Sequence, residues 1–338
     1  MIYSYMDELK IFAANYQARQ LTPLEIQAGN NVFANSLNAK KSEKILVVCD
    51  EAKLAQEAAV FFQAAKNFSD QVIMAVIPPS HHHGEEPPEE LVSLMCQQNI
   101  VLLVTTYSLS HTIGRHKACD AGARVVSMPG ITGEIITRTL VVDYNEVSRL
   151  TKHVAGLLTM ADSAKITSPN GTAITLSLRG RNAIADTGLI LNPRDFGNLP
   201  AGEAFLAPVK GGSNGQILFD GAFADILIDE PISVTVENGQ ATKIEGGSGA
   251  KQLEITLNSL GEDSRNIAEL GVGTNKTAKL ESAVLEVEKV YGTVHIALGN
   301  NKHFGGEVDV QYHADGVILA PTLELDGKLV LKDGEFIL

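Results

Sequence analysis

No apolar run in this chain reaches the roughly 18 residues needed to cross a bilayer, which argues against a membrane protein. The opening stretch, MIYSYMDELKIF, carries acids early and no small-residue cleavage site, so a secretory leader is not expected. Cysteine is scarce. Cys49, Cys96 and Cys119 are odd in number and scattered over apolar segments, which excludes a disulfide framework and predicts reduced, buried thiols in a cytoplasmic protein. Basic patches are missing too. The formal net charge is −13, and without clustered Lys and Arg a nucleic acid partner is not expected. That balance suits solubility and cationic partners such as metal ions. Finally, no GxxxxGK[ST] phosphate loop occurs.

Hydrophobic residues make up 44% and charged residues 20% of 338 positions, as in ordinary soluble proteins, and the length suits two domains of roughly 150 residues. Residues 1–40 read as helical. From Lys44, strands apolar on both faces alternate with helices: KILVVCD, then a helical stretch from Glu51 to Phe68, QVIMAVIPP, a helix from Pro87, NIVLLVTT, a helix over 110–123, and RVVSMPG. That alternation predicts a parallel sheet with right-handed crossovers, a Rossmann-like domain over residues 1–161. The turn after its first strand, CDEAKL, has no glycine and sets two acids where a pyrophosphate would lie, so the domain reads as scaffold and no dinucleotide is expected.

A helix over about 144–160 leads into residues 162–338, which read as an α+β, mostly antiparallel domain. Asn170-Gly171 between two alternating segments is a strong hairpin signal, and two Asp-Gly pairs punctuate LELDGKLVLKDGEFIL. The expected fold is therefore α/β, a parallel-sheet domain followed by a metal-binding α+β domain.

Nine histidines divide sharply. His81, His82 and His83 sit among prolines and glutamates and read as a solvated turn; His111 and His116 fall on a helix and His153 on the linking helix. His295, His303 and His313 fall within nineteen residues of strand-rich sequence. His313 and Asp315 are two apart, so on a strand both project from one face. A lone His295 in the apolar TVHIALG is ordinarily a satisfied core histidine; a neighbouring His-x-Asp shifts the reading towards a metal site. Glu203 closes GNLPAGE, a turn shaped by proline and two glycines, and Glu269 lies in the uncharged NIAELGVGTN, where a carboxylate is costly unless paired or bound to metal.

GNLPAGE (197–203), NIAELGVGTN (266–275), GTVHIALG (292–299) and HAD (313–315), in that order, resemble the metal-site segments of the M29 aminopeptidases of the aminopeptidase T type. SHTIGRHKACDAGARVVSMPGI (110–131) is similar to that family's N-terminal domain. The resemblance implies a homodimeric metalloaminopeptidase-like hydrolase acting on peptides or small molecules. It implies two divalent ions, zinc, cobalt or manganese, held by Glu203, Glu269, His295, His313 and Asp315. Five N/O donors exceed the needs of one hydrolytic zinc but suit two ions sharing a carboxylate. Glu203 or Glu269 would then bridge the ions or take the proton of the attacking water.

One departure stands out. The peptidases place a tyrosine seven residues after the first histidine, and Lys302 stands here; His303 and Tyr312 are substitutes, although Tyr312 should face away from His313. The same superfamily includes iron-dependent ring-cleaving dioxygenases of the 2,5-dihydroxypyridine type, and His295, His313 and Asp315 could supply their two-histidine, one-carboxylate triad. The third reading is a catalytically inactive metal- or ligand-binding protein.

Overall fold

The computed structural model describes residues 10–12, 19–224, 226–280 and 284–337. Most of the helical expectation for residues 1–22 lies outside them; Lys10–Phe12, which is described, is a strand. The first helix, Pro23–Asn31, begins as LTPLE suggests. Thr22 accepts from the Glu25 N–H, the Glu25 carboxylate accepts from the Thr22 N–H, and proline takes the first helical position, where no partner is needed for an N–H. The chain divides into two compact units, one of Met1–Asn145 with Gly188–Ala201 and one of Glu146–Thr187 with Gly202–Leu338.

The first unit is the expected parallel sheet. Its order is Lys10–Phe12, Gln71–Ile77, Lys44–Asp50, Ile100–Val104, Arg124–Ser127, Phe196–Asn198, and every pair but the first is parallel. Ile100–Val104 is buried throughout, as strands covered by helices on both faces must be. The acidic turn after Lys44–Asp50 is used internally: Asp50 accepts from the Lys53 N–H at 3.2 Å and the Thr106 N–H at 2.5 Å.

Two features depart from the expected boundary at residue 161. The chain returns at Phe196–Asn198 to add a strand beside Arg124–Ser127, with Val125 opposite Phe196. The helix Tyr144–Met160, expected to close the first domain, falls almost wholly in the second unit. Its Thr151 hydroxyl bonds that of Thr274 at 2.7 Å, and its Val154 and Leu158 pack into that unit's core, which explains the assignment.

The second unit holds two antiparallel sheets. One runs Gln240–Glu245, Ile232–Glu237, Ser213–Phe219, Ala173–Ser177, Ser163–Thr167, Thr322–Leu325, Lys328–Lys332, Glu335–Phe336. Its hairpins are those the turn chemistry predicts. Ser163–Thr167 pairs with Ala173–Ser177 around Asn170-Gly171. Both residues of Asp326-Gly327 and of Asp333-Gly334 have positive φ, as tight hairpin turns require. The other sheet runs Ala222–Phe223, His313–Ile318, Val294–Gly299, Ile267–Gly273, Glu203–Leu206, Ile184–Asp186. Among the described residues no helix is long and apolar enough to cross a membrane.

Candidate functional site

Strand register assembles the site. Glu203 lies opposite Gly273, Gly271 opposite His295, Glu269 opposite Ala297, Ala297 opposite Asp315, and Gly299 opposite His313. Directly paired residues, and residues two apart, share a face of the sheet. All five candidates, Glu203, Glu269, His295, His313 and Asp315, therefore project from one face although they come from four strands.

Small residues between them make the room. A side chain at Gly271 would meet the His295 ring, its Cβ only 1.9 Å from Nε2. One at Gly273 would fall 2.0 Å from the Val290 carbonyl oxygen. Bare backbone at Gly273 thus admits the segment after the helix Val284–Val287, and that segment delivers two charged residues which the sequence reading missed. Lys289 Nζ lies 2.8 Å from Glu203 Oε1 and 2.6 Å from Glu288 Oε2, and the lysine side chain is 1% exposed. The sequence signal was EVEKV, acids and a lysine alternating with valines next to a glycine-rich strand; it reads equally as a solvated turn.

The donors form two groups, Glu203 with Glu269 and His295, and Glu269 with His313 and Asp315, each with its ligand atoms within 4.8 Å of one another. Glu269 is common to both. Its Oε1 lies 3.3 Å from His295 Nε2 and its Oε2 3.4 Å from His313 Nε2, so two imidazoles converge on one carboxylate. Asp315 Oδ2 is 3.4 Å from His313 Nε2, and Glu203 Oε2 3.2 Å from His295 Nε2. The other imidazole nitrogen of His313, Nδ1, is 2.8 Å from the Asn300 carbonyl; as a donor there it leaves Nε2 free to bind a metal. Among the described residues His295 Nδ1 and Asp315 Oδ1 are buried without a hydrogen-bond partner.

Charges packed this closely shift one another, in a cluster that is buried at Glu203, Glu269 and His295 and opens to solvent at His313, whose side chain is 33% exposed. Burial opposes charge on Glu203, but the Lys289 ammonium and the His295 ring outweigh it and hold the carboxyl below its ordinary value. Burial dominates at Glu269 and holds that carboxyl above its ordinary value. At Glu288 burial pushes the carboxyl to about 8 despite Lys289. Burial works against charge on His313 too, yet Asp315 and Glu269 raise the ring to about 10. These carboxylates draw positive charge, and a divalent ion can supply it in place of the protons on the two imidazoles, which must leave for the rings to ligate. With a buried oxygen lacking a hydrogen bond and N/O donors converging, these residues fit a divalent ion.

The remaining sequence candidates fall elsewhere. Lys302, at the position of the peptidase tyrosine, is exposed and pairs with Asp309 at 2.6 Å. Tyr312 packs against the core of the second unit, where burial and the nearby Asp315 carboxylate raise its hydroxyl above the ordinary value. His303 lines a cavity of about 380 Å³ with Gly180, Arg181, Ile184 and Phe304 among its walls. The aromatic ring at the metal-site edge is Phe304, which meets the His313 ring edge-on at 5.8 Å. His81, His82 and His83 are exposed in a turn, where the His83 ring packs edge-on against Tyr107.

Comparison with known proteins gives this site a family. The profile of NicX, 2,5-dihydroxypyridine 5,6-dioxygenase, matches residues 26–338. The chain belongs to the NicX family. A solved 2,5-dihydroxypyridine dioxygenase from Pseudomonas putida KT2440 superposes with a TM-score of 0.77 at 19% identity, covering 93% of this chain and 96% of that one. Wild-type AmpT from Thermus thermophilus superposes with a TM-score of 0.69 at 15% identity, covering 93% and 99%. No curated protein sequence matches. The expected M29 membership is thereby corrected: the fold is shared with AmpT, the family is NicX. Both neighbours share this chain's fold, so segments set by that fold resemble both.

Proposed function

We propose that this chain is a mononuclear iron-dependent dioxygenase that opens a small hydroxylated aromatic or pyridine ring, with His295, His313 and Asp315 as the iron ligands. The observation that carries this reading is the convergence of His295 and His313 on the Glu269 carboxylate with Asp315 beside them, in a chain of the NicX family. Two imidazoles and one carboxylate, with room left for substrate, are the donor set of non-haem iron oxygenases. The peptidase reading loses a part it needs, because the tyrosine position is a solvent-facing Lys302 paired with Asp309.

When bound, the iron supplies the one-electron chemistry that lets dioxygen react with a closed-shell ring. The protein's own residues do the rest. Phe304 spans the cavity of about 380 Å³ and the edge of His313, so it can lie against a planar substrate ring. Arg181 donates to the Gly305 carbonyl and pairs with Glu307 at 3.7 Å, tying together two residues of the cavity wall. Glu269 stands where a ring hydroxyl would approach and accepts its proton, leaving the oxyanion to turn towards the two histidines.

Anaerobic loading with iron(II), followed by an oxygen electrode and 2,5-dihydroxypyridine as probe, tests the reading. Oxygen uptake matched to loss of the ring absorbance, with both labelled oxygen atoms in the product, is expected. No uptake with that probe or with dihydroxybenzenes, in protein that holds iron, sinks it. One observation favours a second reading, a two-metal hydrolase: the donors fall into two groups sharing Glu269. Release of an amino acid from an aminoacyl-anilide in the presence of zinc, cobalt or manganese would establish that alternative.

A further inference from the structure

We infer that Lys289 is a built-in cation that takes the place of a second metal ion and limits this site to one. The inference rests on the mononuclear reading above and adds the residue that enforces it. The donor atoms alone do not impose a single ion, since two groups sharing a carboxylate are what a paired-metal site looks like. What breaks the symmetry is the ammonium. Lys289 Nζ sits 2.8 Å from Glu203 Oε1, on the side of the Glu203, Glu269 and His295 group, whereas among the described residues no lysine is paired with His313 or Asp315.

The lysine is fixed there. Its carbonyl accepts from the Asn275 N–H at 2.9 Å, the following residue presses on the bare backbone of Gly273, and its ammonium bridges Glu203 and Glu288. At 1% exposure the side chain is fully buried. A divalent ion held by Glu203 would therefore lie within a few ångströms of a positive charge, in a medium that screens poorly. It would also compete with that charge for the same carboxylate. Among the described residues the second group has no lysine in contact, so the single ion is expected on the side of the shared Glu269 that faces His313 and Asp315.

The test is metal stoichiometry, read independently of activity. Wild-type protein saturated with cobalt(II) or zinc(II) and desalted should retain one ion per chain by elemental analysis. Lys289→Met should retain two, and Lys289→Arg, which keeps the charge, should retain one. Adding Glu203→Gln to Lys289→Met should return the count to one, which separates a second ion at this site from one caught on the exposed His81, His82 and His83. If Lys289→Met does not fold, Glu288→Gln with Lys289→Met leaves no buried glutamate beside the missing ammonium except the ligand Glu203. A count of one in both wild type and the folded lysine variants overturns the inference and leaves the mononuclear reading standing. A count of two in wild type overturns both. A chain that holds one ion, gains a second on Lys289→Met and yet cleaves no ring supports the inference while overturning the dioxygenase chemistry.

Discussion

The imidazole of His295 occupies the space that a side chain at Gly271 would fill: a Cβ there would lie 1.9 Å from His295 Nε2 and 2.2 Å from Cε1. The two residues face each other directly across the Ile267–Gly273 and Val294–Gly299 strands. Gly271 is not among the glycines with positive φ, so its backbone accepts alanine, and the clash falls on the ring alone. Gly271→Ala should keep a cooperative fold but turn His295 away from Glu203 and Glu269. A loss of about 10- to 100-fold in metal affinity is expected, the range seen when support for a ligand is removed. Competition against a chelator measures it, and unchanged affinity would mean that His295 is not a ligand.

His313 and Asp315 test the other side of the cluster. They project from one face of the same strand, and among the described residues Asp315 Oδ1 is buried with no hydrogen-bond partner. Their truncation removes donors without opening an apolar core. His313→Ala and Asp315→Ala should each abolish stoichiometric metal binding while the thermal transition stays cooperative. The metal-induced rise in melting temperature should vanish as well, because a bound ligand stabilises only while its site exists. Full metal content in both variants would remove these residues from the site.

A third prediction concerns acid stability. The Arg19 guanidinium hydrogen-bonds Glu25; burial opposes this, Thr22 adds to it, and the carboxyl is held at about 2 rather than 4.5. A carboxylate with a depressed folded pKa stabilises the fold fully above its unfolded value. That contribution fades as pH falls from about 4.5 towards 2. Arg19 is about one-third exposed, so solvent screening limits the effect to about 1 kcal/mol. Arg19→Gln should thus cost about that much at pH 6 and nearly nothing at pH 2.5, measured by urea unfolding. An equal cost at both values would mean that the pair contributes through packing instead.

Much of the scaffold was legible because its signals are local. Ile100–Val104 is buried on both faces and reads as a covered parallel strand; Asn170-Gly171 and the two Asp-Gly pairs state their hairpins. The return of Phe196–Asn198 to the first sheet was not legible, because three residues, FGN, show no periodicity and only a distant partner makes them a strand. The five candidate residues could be named from residue type, spacing and the resemblance of their segments to the M29 peptidases, but their shared face depends on register across four strands. Lys289 was invisible for a physical reason. A lysine between Glu288 and Val290 reads as solvated until the bare backbone of Gly273 lets that turn press onto the sheet. Counting seven residues from His295 reached Lys302, whereas the ring at the site edge is Phe304, two residues on.

The last prediction isolates Glu269. Its two oxygens face two different imidazole nitrogens, at 3.3 Å and 3.4 Å, and burial holds the carboxyl above its ordinary value. Glu269→Gln keeps the shape, removes the charge, and turns an NH2 group towards one of the rings. If Glu269 accepts the proton of the substrate hydroxyl, the variant keeps one iron per chain, and its kcat for ring cleavage falls by at least about two orders of magnitude with a smaller change in KM. The loss falls on kcat because the glutamine still fills the space around the ring, so ground-state binding is little altered, while proton transfer has no acceptor. A higher pH, which pre-ionises the substrate hydroxyl in solution, should then restore part of the rate in the variant but not in Phe304→Ala, whose defect is in holding the ring. If Glu269 is instead an iron ligand, iron content falls together with activity and no pH restores it. An unchanged kcat with unchanged iron would leave the carboxylate shared by both histidines without a part in the reaction, and would defeat the role assigned to it.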